Sequence, residues 1–264
     1  MMRCLCLFLI LLAAAPFQGV AQMPSPYSRE AFVQGTDTLP YRKLLPEGFD
    51  ATRKYPLILF LHGGGERGSD NEKQLTHGSG LFTSPVNRGA FPAIVLAPQC
   101  AASDYWAQVD LDRSSYPIGL EFHYEKGPTR SLGLVMDLLE QYRKAPYVDA
   151  DRIYVMGLSM GGMGTFELLH RLPGVFAAAI PICGAGVPET VGGYAGKIPL
   201  WIFHGAVDQV IAPEHSLDMV QALFDAGARP GFTLYDRVNH NSWDYAFAEP
   251  ELLPWLFSHR KADR

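Results

Sequence analysis

Five short runs of the chain are almost wholly apolar: 56–61, 93–97, 153–156, 177–182 and 200–203. None alternates with polar residues, as a strand with one wet face would. They predict strands buried on both sides, as in a parallel sheet covered by helices. Residues 232–235 predict a final strand. Near the start, Phe32-Val33 and 39–45 predict short antiparallel strands closed by the turn-like Pro46-Glu47-Gly48. Between the apolar runs the period changes. Residues 128–144 place Leu132, Val135, Met136, Leu139 and Tyr142 on one helical face, with Pro146 as a stop. Residues 213–226 open on Pro213, align Leu217, Val220 and Phe224, and end at Gly227. Strand and helix alternate, so the class is α/β, with a mostly parallel sheet and helices on both faces.

The first residues break this pattern. Arg3 precedes an uncharged apolar run over 5–15, and Gly19-Val20-Ala21 supplies small residues at a signal-peptidase site. The run is short for a bilayer span and polar residues follow at once, so residues 1–21 read as a cleaved signal peptide. This predicts a secreted or periplasmic protein with no stable membrane insertion after cleavage. Residues 22–264, about 240 in number, suit a single α/β domain. No repeat, low-complexity stretch or Pro/Gly-rich linker divides them.

Composition narrows the partners. The chain is 48% hydrophobic and 19% charged, enough apolar content for a substantial core. Its net charge of −5 comes without any basic stripe, which argues against nucleic acid as a partner. Beyond the leader only Cys100 and Cys183 remain. They fall at the ends of two strands that would not be neighbours, so two buried thiols are expected rather than a disulfide. Neither has zinc-site spacing.

The chemistry is concentrated after the run 153–156, where Gly157-Leu158-Ser159-Met160-Gly161 is followed by Gly162, Gly164 and a helix-like stretch to His170. Strand, tight turn and helix around G-x-S-x-G form a nucleophile elbow, which holds the Ser159 hydroxyl above the sheet edge in a strained conformation. A serine hydroxyl needs a base, and the base needs an orienting carboxylate. In this arrangement the acid and then the histidine follow the serine along the chain. The strand 200–203 runs into His204-Gly205-Ala206-Val207-Asp208, and the last strand runs into Asn239-His240-Asn241. Asp208 and His240 therefore both fall at the carboxyl edge, where ligands bind in open α/β sheets. Asp236 is the rival acid, but it precedes His240 by only four residues. His204 precedes the acid and reads as a buried, hydrogen-bonded histidine; His215 and His259 read as solvated. Acyl transfer also needs two N–H donors for the oxyanion. One is expected from Met160, the residue after the nucleophile, and the other from Gly64 in His62-Gly63-Gly64-Gly65, with Gly65 the alternative.

Taken in order, 61–71, 157–162, Pro181-Ile182-Cys183-Gly184, His204-Gly205 with Asp208, and 240–243 resemble the bacterial carboxylesterases often labelled predicted peptidases or phospholipase/carboxylesterase-like. The similarity runs from about Tyr41 to Leu256. It implies an α/β-hydrolase sheet with a Ser159–Asp208–His240 triad, and an outline shared with feruloyl and acetyl-xylan esterases and polyester depolymerases. The expected activity is that of a serine carboxylesterase acting on a small-molecule or polysaccharide-linked ester. Peptide hydrolysis, or carbohydrate binding without catalysis, are the alternatives.

Only 17 residues, 183–199, separate two of the predicted strands where lidded relatives insert a cap, so no large cap domain and an open cleft are expected. The segment 100–127 reads as a long loop forming one wall, with Tyr105, Trp106, Tyr116, Phe122 and Tyr124. Trp106 and Trp243 are the predicted substrate contacts. Glu66, Arg67 and Asp70 are expected to brace the oxyanion loop through ion pairs. The chemistry calls for no metal and no organic cofactor.

Overall fold

The computed structural model describes residues 25–261. The predicted leader, 1–21, lies outside them. In chain order the elements are β1 (Ser28–Gln34), β2 (Asp37–Leu44), β3 (Tyr55–Leu61), α1 (Ser79–Thr83), α2 (Pro85–Ala90), β4 (Ile94–Pro98), β5 (Val109–Asp112), β6 (Gly119–Phe122), α3 (Arg130–Arg143), β7 (Val148–Leu158), α4 (Met160–Arg171), β8 (Ala178–Ile182), β9 (Trp201–Gly205), α5 (Glu214–Asp225), β10 (Gly231–Tyr235), α6 (Ser242–Ala248) and α7 (Leu252–Phe257). Eight strands form one sheet in the order β1-β2-β4-β3-β7-β8-β9-β10. β2 pairs antiparallel with both β1 and β4, and every pairing from β4 to β10 is parallel. This is the expected α/β-hydrolase sheet.

Burial on both faces explains the unbroken apolar runs. On one face Leu57, Leu59, Ile153 and Val155 pack with Leu132, Val135 and Leu139 of α3 and Met219 and Leu223 of α5. The alternate residues Ile58, Phe60, Tyr154 and Met156 pack with Phe82, Leu252, Leu253 and Leu256 on the other face. Period-2 alternation therefore chooses a face, while both faces are apolar. Among the described residues no helix is long and apolar enough to cross a membrane.

Three expectations are corrected. In α5 the buried stripe is Ser216, Met219, Val220 and Leu223, whereas Leu217 and Phe224 stay 42% and 41% exposed. The helix is turned so that the neighbouring stripe, one residue round, meets the sheet. In α3 Met136 is only partly buried, and Leu134 and Leu138 join Leu132, Val135, Leu139 and Tyr142 inside. Finally, 100–127 is not an irregular loop: β5 and β6 pair antiparallel within it as a separate hairpin. The hairpin tip is tied to the loop after β9 by the Ile118 N–H, which donates to the Val210 carbonyl at 3.0 Å.

The chain leaves β3 toward β4 and returns to β7 on the opposite side of β3, so β3 and β7 flank the point where the strand order reverses. Ligands in open α/β sheets bind beyond the carboxyl ends of the strands at such a point.

Candidate active site

β7 ends at Leu158, and α4 begins two residues later at Met160. Ser159, between them, has φ 54° and ψ −117°, a conformation that only glycine adopts without strain. Its N–H donates to the Ile182 carbonyl at 2.8 Å, and its own carbonyl accepts from Met163 N–H at 3.0 Å. The turn closes because Gly161 brings α4 against the end of β3. A Cβ on Gly161 would lie 2.0 Å from the Leu61 carbonyl oxygen.

The loops after β9 and β10 bring the other two groups to this turn. His240 Nε2 lies 2.9 Å from Ser159 Oγ, and His240 Nδ1 lies 2.7 Å from Asp208 Oδ2. A carboxylate can only accept, so Nδ1 carries the hydrogen and Nε2 is left to accept from the serine hydroxyl. Asp208 is almost fully buried, and its Oδ1 accepts from Val210 N–H at 2.8 Å and Ile211 N–H at 3.0 Å. Burial alone would raise its pKa. Hydrogen bonds from His204, His240 and the Val210 N–H outweigh this and hold the carboxyl well below the usual range. The Asn239 side-chain oxygen clips the two loops together, accepting from Gln209 N–H at 2.9 Å and His240 N–H at 2.7 Å. The rival acid, Asp236, has a side chain 87% exposed and pairs with Arg237. His204 is fully buried, as expected.

The glycine loop follows β3, whose Leu61 is in register with Gly157 of β7, so it runs beside the elbow. Gly64 starts a single 3-10 turn, Gly64–Glu66. Met160 opens α4, so its N–H has no carbonyl partner four residues back within the helix. The expected ion pair holds for Asp70, whose Oδ2 lies 3.5 Å from Lys73 Nζ, whereas Arg67 braces the loop through carbonyls instead. Arg67 Nε donates to the Gly64 carbonyl at 3.0 Å and Nη1 to the carbonyls of Ala102 and Asp104 at 3.2 and 3.1 Å. Asp70 ties its own turn, accepting from the N–H groups of Glu72 and Lys73 at 2.8 and 2.9 Å, and Glu66 lies 3.7 Å from His77.

His62 secures the same loop from inside. Its Nε2 accepts from Cys100 N–H at 3.0 Å, so Nδ1 carries the hydrogen and donates to the Gly63 carbonyl at 2.6 Å. Burial pushes this imidazole down to about 4 from an ordinary 6.5. The fold therefore favours the neutral ring. Its contribution is complete above pH 6.5 and is lost as the pH falls from there toward 4, with about 2 kcal/mol gone by pH 5. In His62→Gln the amide oxygen can still take the Cys100 N–H. Urea unfolding at pH 8 and pH 5 should show this variant losing about 2 kcal/mol less than the wild type over that interval. Equal losses in the two proteins would mean that His62 is not the titrating group.

The two predicted substrate contacts fare differently. Trp106 is fully buried, its indole N–H donating to the His62 carbonyl at 3.1 Å. It is a strut beneath the glycine loop and cannot touch a substrate, which corrects the expectation. Trp243 is only partly buried and meets the His240 ring edge-on, centroids 5.4 Å apart and planes at 87°. The exposed aromatic of the 100–127 segment is Tyr116, at 64%. Sequence reasoning placed Tyr116 in this wall but chose Trp106 as the contact; the turn-forming run Ser114-Ser115-Tyr116-Pro117 was the signal that Tyr116 stands out.

Cys100 and Cys183 are buried free thiols, as expected. Donor atoms of Cys183, Asp208 and His240 lie within 4.8 Å of one another. Asp208 and His240 are already engaged with each other and with Ser159, and burial pushes the Cys183 thiol far up, so this set does not fit a resident metal ion.

Known proteins resemble this arrangement. Residues 95–251 match the dienelactone hydrolase family. A bifunctional acetylxylan esterase/xylanase of Neocallimastix patriciarum is 32% identical over 85 residues, covering 31% of this chain and 12% of that one. A probable carboxylesterase of Oryza sativa subsp. japonica is 25% identical over 236 residues, covering 83% of each chain. The crystal structure of a thermostable esterase superposes with a TM-score of 0.80 at 33% identity, covering 89% of this chain and 63% of that one. The chain thus spans only a small part of the Neocallimastix patriciarum relative and less than two thirds of the thermostable esterase. With more than half of its length matched and a buried parallel sheet carrying a serine on a strained turn, the chain belongs to the dienelactone hydrolase family and has the α/β-hydrolase fold.

Proposed function

We propose that this protein is an exported carboxylic ester hydrolase that works through an acyl-enzyme. The observation carrying the proposal is the continuous hydrogen-bond chain from Ser159 Oγ through His240 to Asp208, at a serine whose backbone is held in a strained turn. Ser159 Oγ attacks the ester carbonyl carbon while His240 Nε2 takes its proton. The oxyanion is received by the N–H groups of Gly64 and Met160, each contributing about 3 kcal/mol. The C–O bond to the alcohol breaks, and the departing oxygen takes the proton from His240. Water then attacks the acyl-serine, giving its proton to His240, and the carboxylic acid leaves as Ser159 is restored. Asp208 keeps His240 in the required tautomer and stabilises the imidazolium.

The substrate side favours acyl, acetyl or feruloyl esters, including those attached to polysaccharide. Only one short 3-10 turn, Pro188–Gly193, lies between β8 and β9, which suits a bulky substrate. Tyr116, Val207, Gln209 and Glu214 border an open groove of about 500 Å³ beside Asp208, with Tyr116 and Val207 markedly exposed. An aromatic face with nearby amide and carboxylate groups suits a ring bearing hydroxyls. The acetylxylan esterase and carboxylesterase relatives support the same choice. Export rests on the leader pattern at 1–21.

A fluorophosphonate probe is expected to label Ser159 in protein recovered from the periplasm or medium, which should begin at Gln22. The same preparation should cleave a p-nitrophenyl ester and leave the anilide of the same acyl group untouched. Absence of labelling would support a non-catalytic carbohydrate-binding role instead. Comparable cleavage of ester and anilide would support a peptidase.

A further inference from the structure

We propose that His204 is a positioning residue for this site, a second imidazole that holds the Asp208 carboxylate at the oxygen His240 also meets. The inference rests on the acyl-enzyme reading above. His204 lies in β9, one residue before the strand ends at Gly205, and is fully buried. Its Nε2 is 3.0 Å from the Ile211 carbonyl oxygen and 3.2 Å from Asp208 Oδ2. Both oxygens can only accept, so Nε2 carries a hydrogen shared between them. Its Nδ1 is 2.7 Å from Ser216 Oγ in α5, and that hydroxyl also lies 3.3 Å from the Gly184 carbonyl. Every polar atom of the ring thus has a partner, and the ring cannot rotate without losing them all.

The geometry acts on Asp208 by two routes. The direct one is the contact at Oδ2, the same oxygen that receives His240 Nδ1–H. The indirect one runs through Ile211. His204 holds the Ile211 carbonyl, while the Ile211 N–H donates to Asp208 Oδ1 at 3.0 Å. His204 therefore anchors both the carboxylate and the turn that carries it. The low pKa of Asp208 agrees, because His204 is among the groups that depress it. By drawing on Oδ2, His204 also moderates the negative charge that His240 feels. The other titratable groups close by are the Cys183 thiol, against Asp208 and His240, and His215, beside Ser216 on α5, with Asp218 and Glu214 facing it. All of them are retained in the variants below.

The test compares two polar substitutions. His204→Gln places an amide N–H near the position of Nε2. His204→Asn keeps a polar atom near Nδ1 but is too short to reach Asp208. For p-nitrophenyl acetate, His204→Asn is expected to lower kcat by about 10- to 100-fold with KM nearly unchanged, the loss of one charge-assisted hydrogen bond. The acid limb of its kcat/KM profile should move up by about one pH unit, because the less neutralised carboxylate favours the His240 imidazolium. His204→Gln should stay within about threefold of wild type with its acid limb in place. Thermal unfolding and the stoichiometry of fluorophosphonate labelling would normalise both for folded protein. Should His204→Asn not fold, Ser216→Ala, which frees the ring at Nδ1, replaces it with the same expected direction. Equal kcat values for the two variants, or an unmoved acid limb, would overturn the positioning role and leave a purely structural one. Asp208→Asn is the control for the underlying reading: if it lowers kcat by less than tenfold, the triad assignment fails rather than the role of His204.

Discussion

Replacing Ser159 by alanine is expected to lower kcat for an aryl acetate by about 10⁴- to 10⁶-fold, the range seen when the nucleophile of a serine hydrolase is removed. Among the described residues Ser159 Oγ is the hydroxyl hydrogen-bonded to His240 Nε2, and the proposed oxyanion donors alone would sustain only a small residual rate. The variant should fold, because alanine fills less space at the same backbone position. It also retains the strain of φ 54°, which a serine at that position carries at a cost of about 1–3 kcal/mol. Ser159→Gly relieves that strain and should be more stable than Ser159→Ala by about 1 kcal/mol in urea unfolding, while being equally inactive. A Ser159→Ala enzyme with wild-type turnover would remove the proposed mechanism entirely.

The second large effect concerns Gly161 and stability. A methyl group there would sit 2.0 Å from the Leu61 carbonyl oxygen and 2.8 Å from that of His62. Both neighbours are backbone in or just beyond a central strand, so neither can move aside as a flexible side chain would. Gly161→Ala should either fail to accumulate as soluble protein or be destabilised by at least about 3 kcal/mol, measured by chemical denaturation. Because the clash pushes the glycine loop away from the elbow, any folded fraction should also lose activity. A variant with an unchanged denaturation midpoint would show that α4 and the end of β3 are less closely apposed than described.

The elbow was readable because its sequence signature is local. Five adjacent residues at the end of a buried strand mark the turn, although only Gly157 is required by its near neighbour Gly161, while Gly161 is required by the end of β3. Asp208 and His240 were readable for a different reason. Chain order and strand ends constrain which carboxylate and imidazole can reach the sheet edge, and the exposure of Asp236 agrees with that reasoning. The aromatics of 100–127 were not readable in this way. Whether a tryptophan faces solvent or a glycine of α4 depends on where a hairpin docks, and Trp106 was accordingly misplaced as a substrate contact. The buried face of α5 failed likewise, since two adjacent apolar stripes on one helix carry similar signals and only the packing partner selects between them.

By itself, the order of residues determined the class of fold, the strand cores and the serine on its turn, because hydrophobic period and the strand-turn-helix motif are both written in neighbouring positions. Only the tertiary structure decided that His204 reaches the same Asp208 oxygen as His240, which wall residue is strut and which is rim, and how Arg67 braces the glycine loop. Those outcomes depend on distances between segments dozens of residues apart. Such distances follow from how the sheet orders its strands, and periodicity along one chain carries no information about that order.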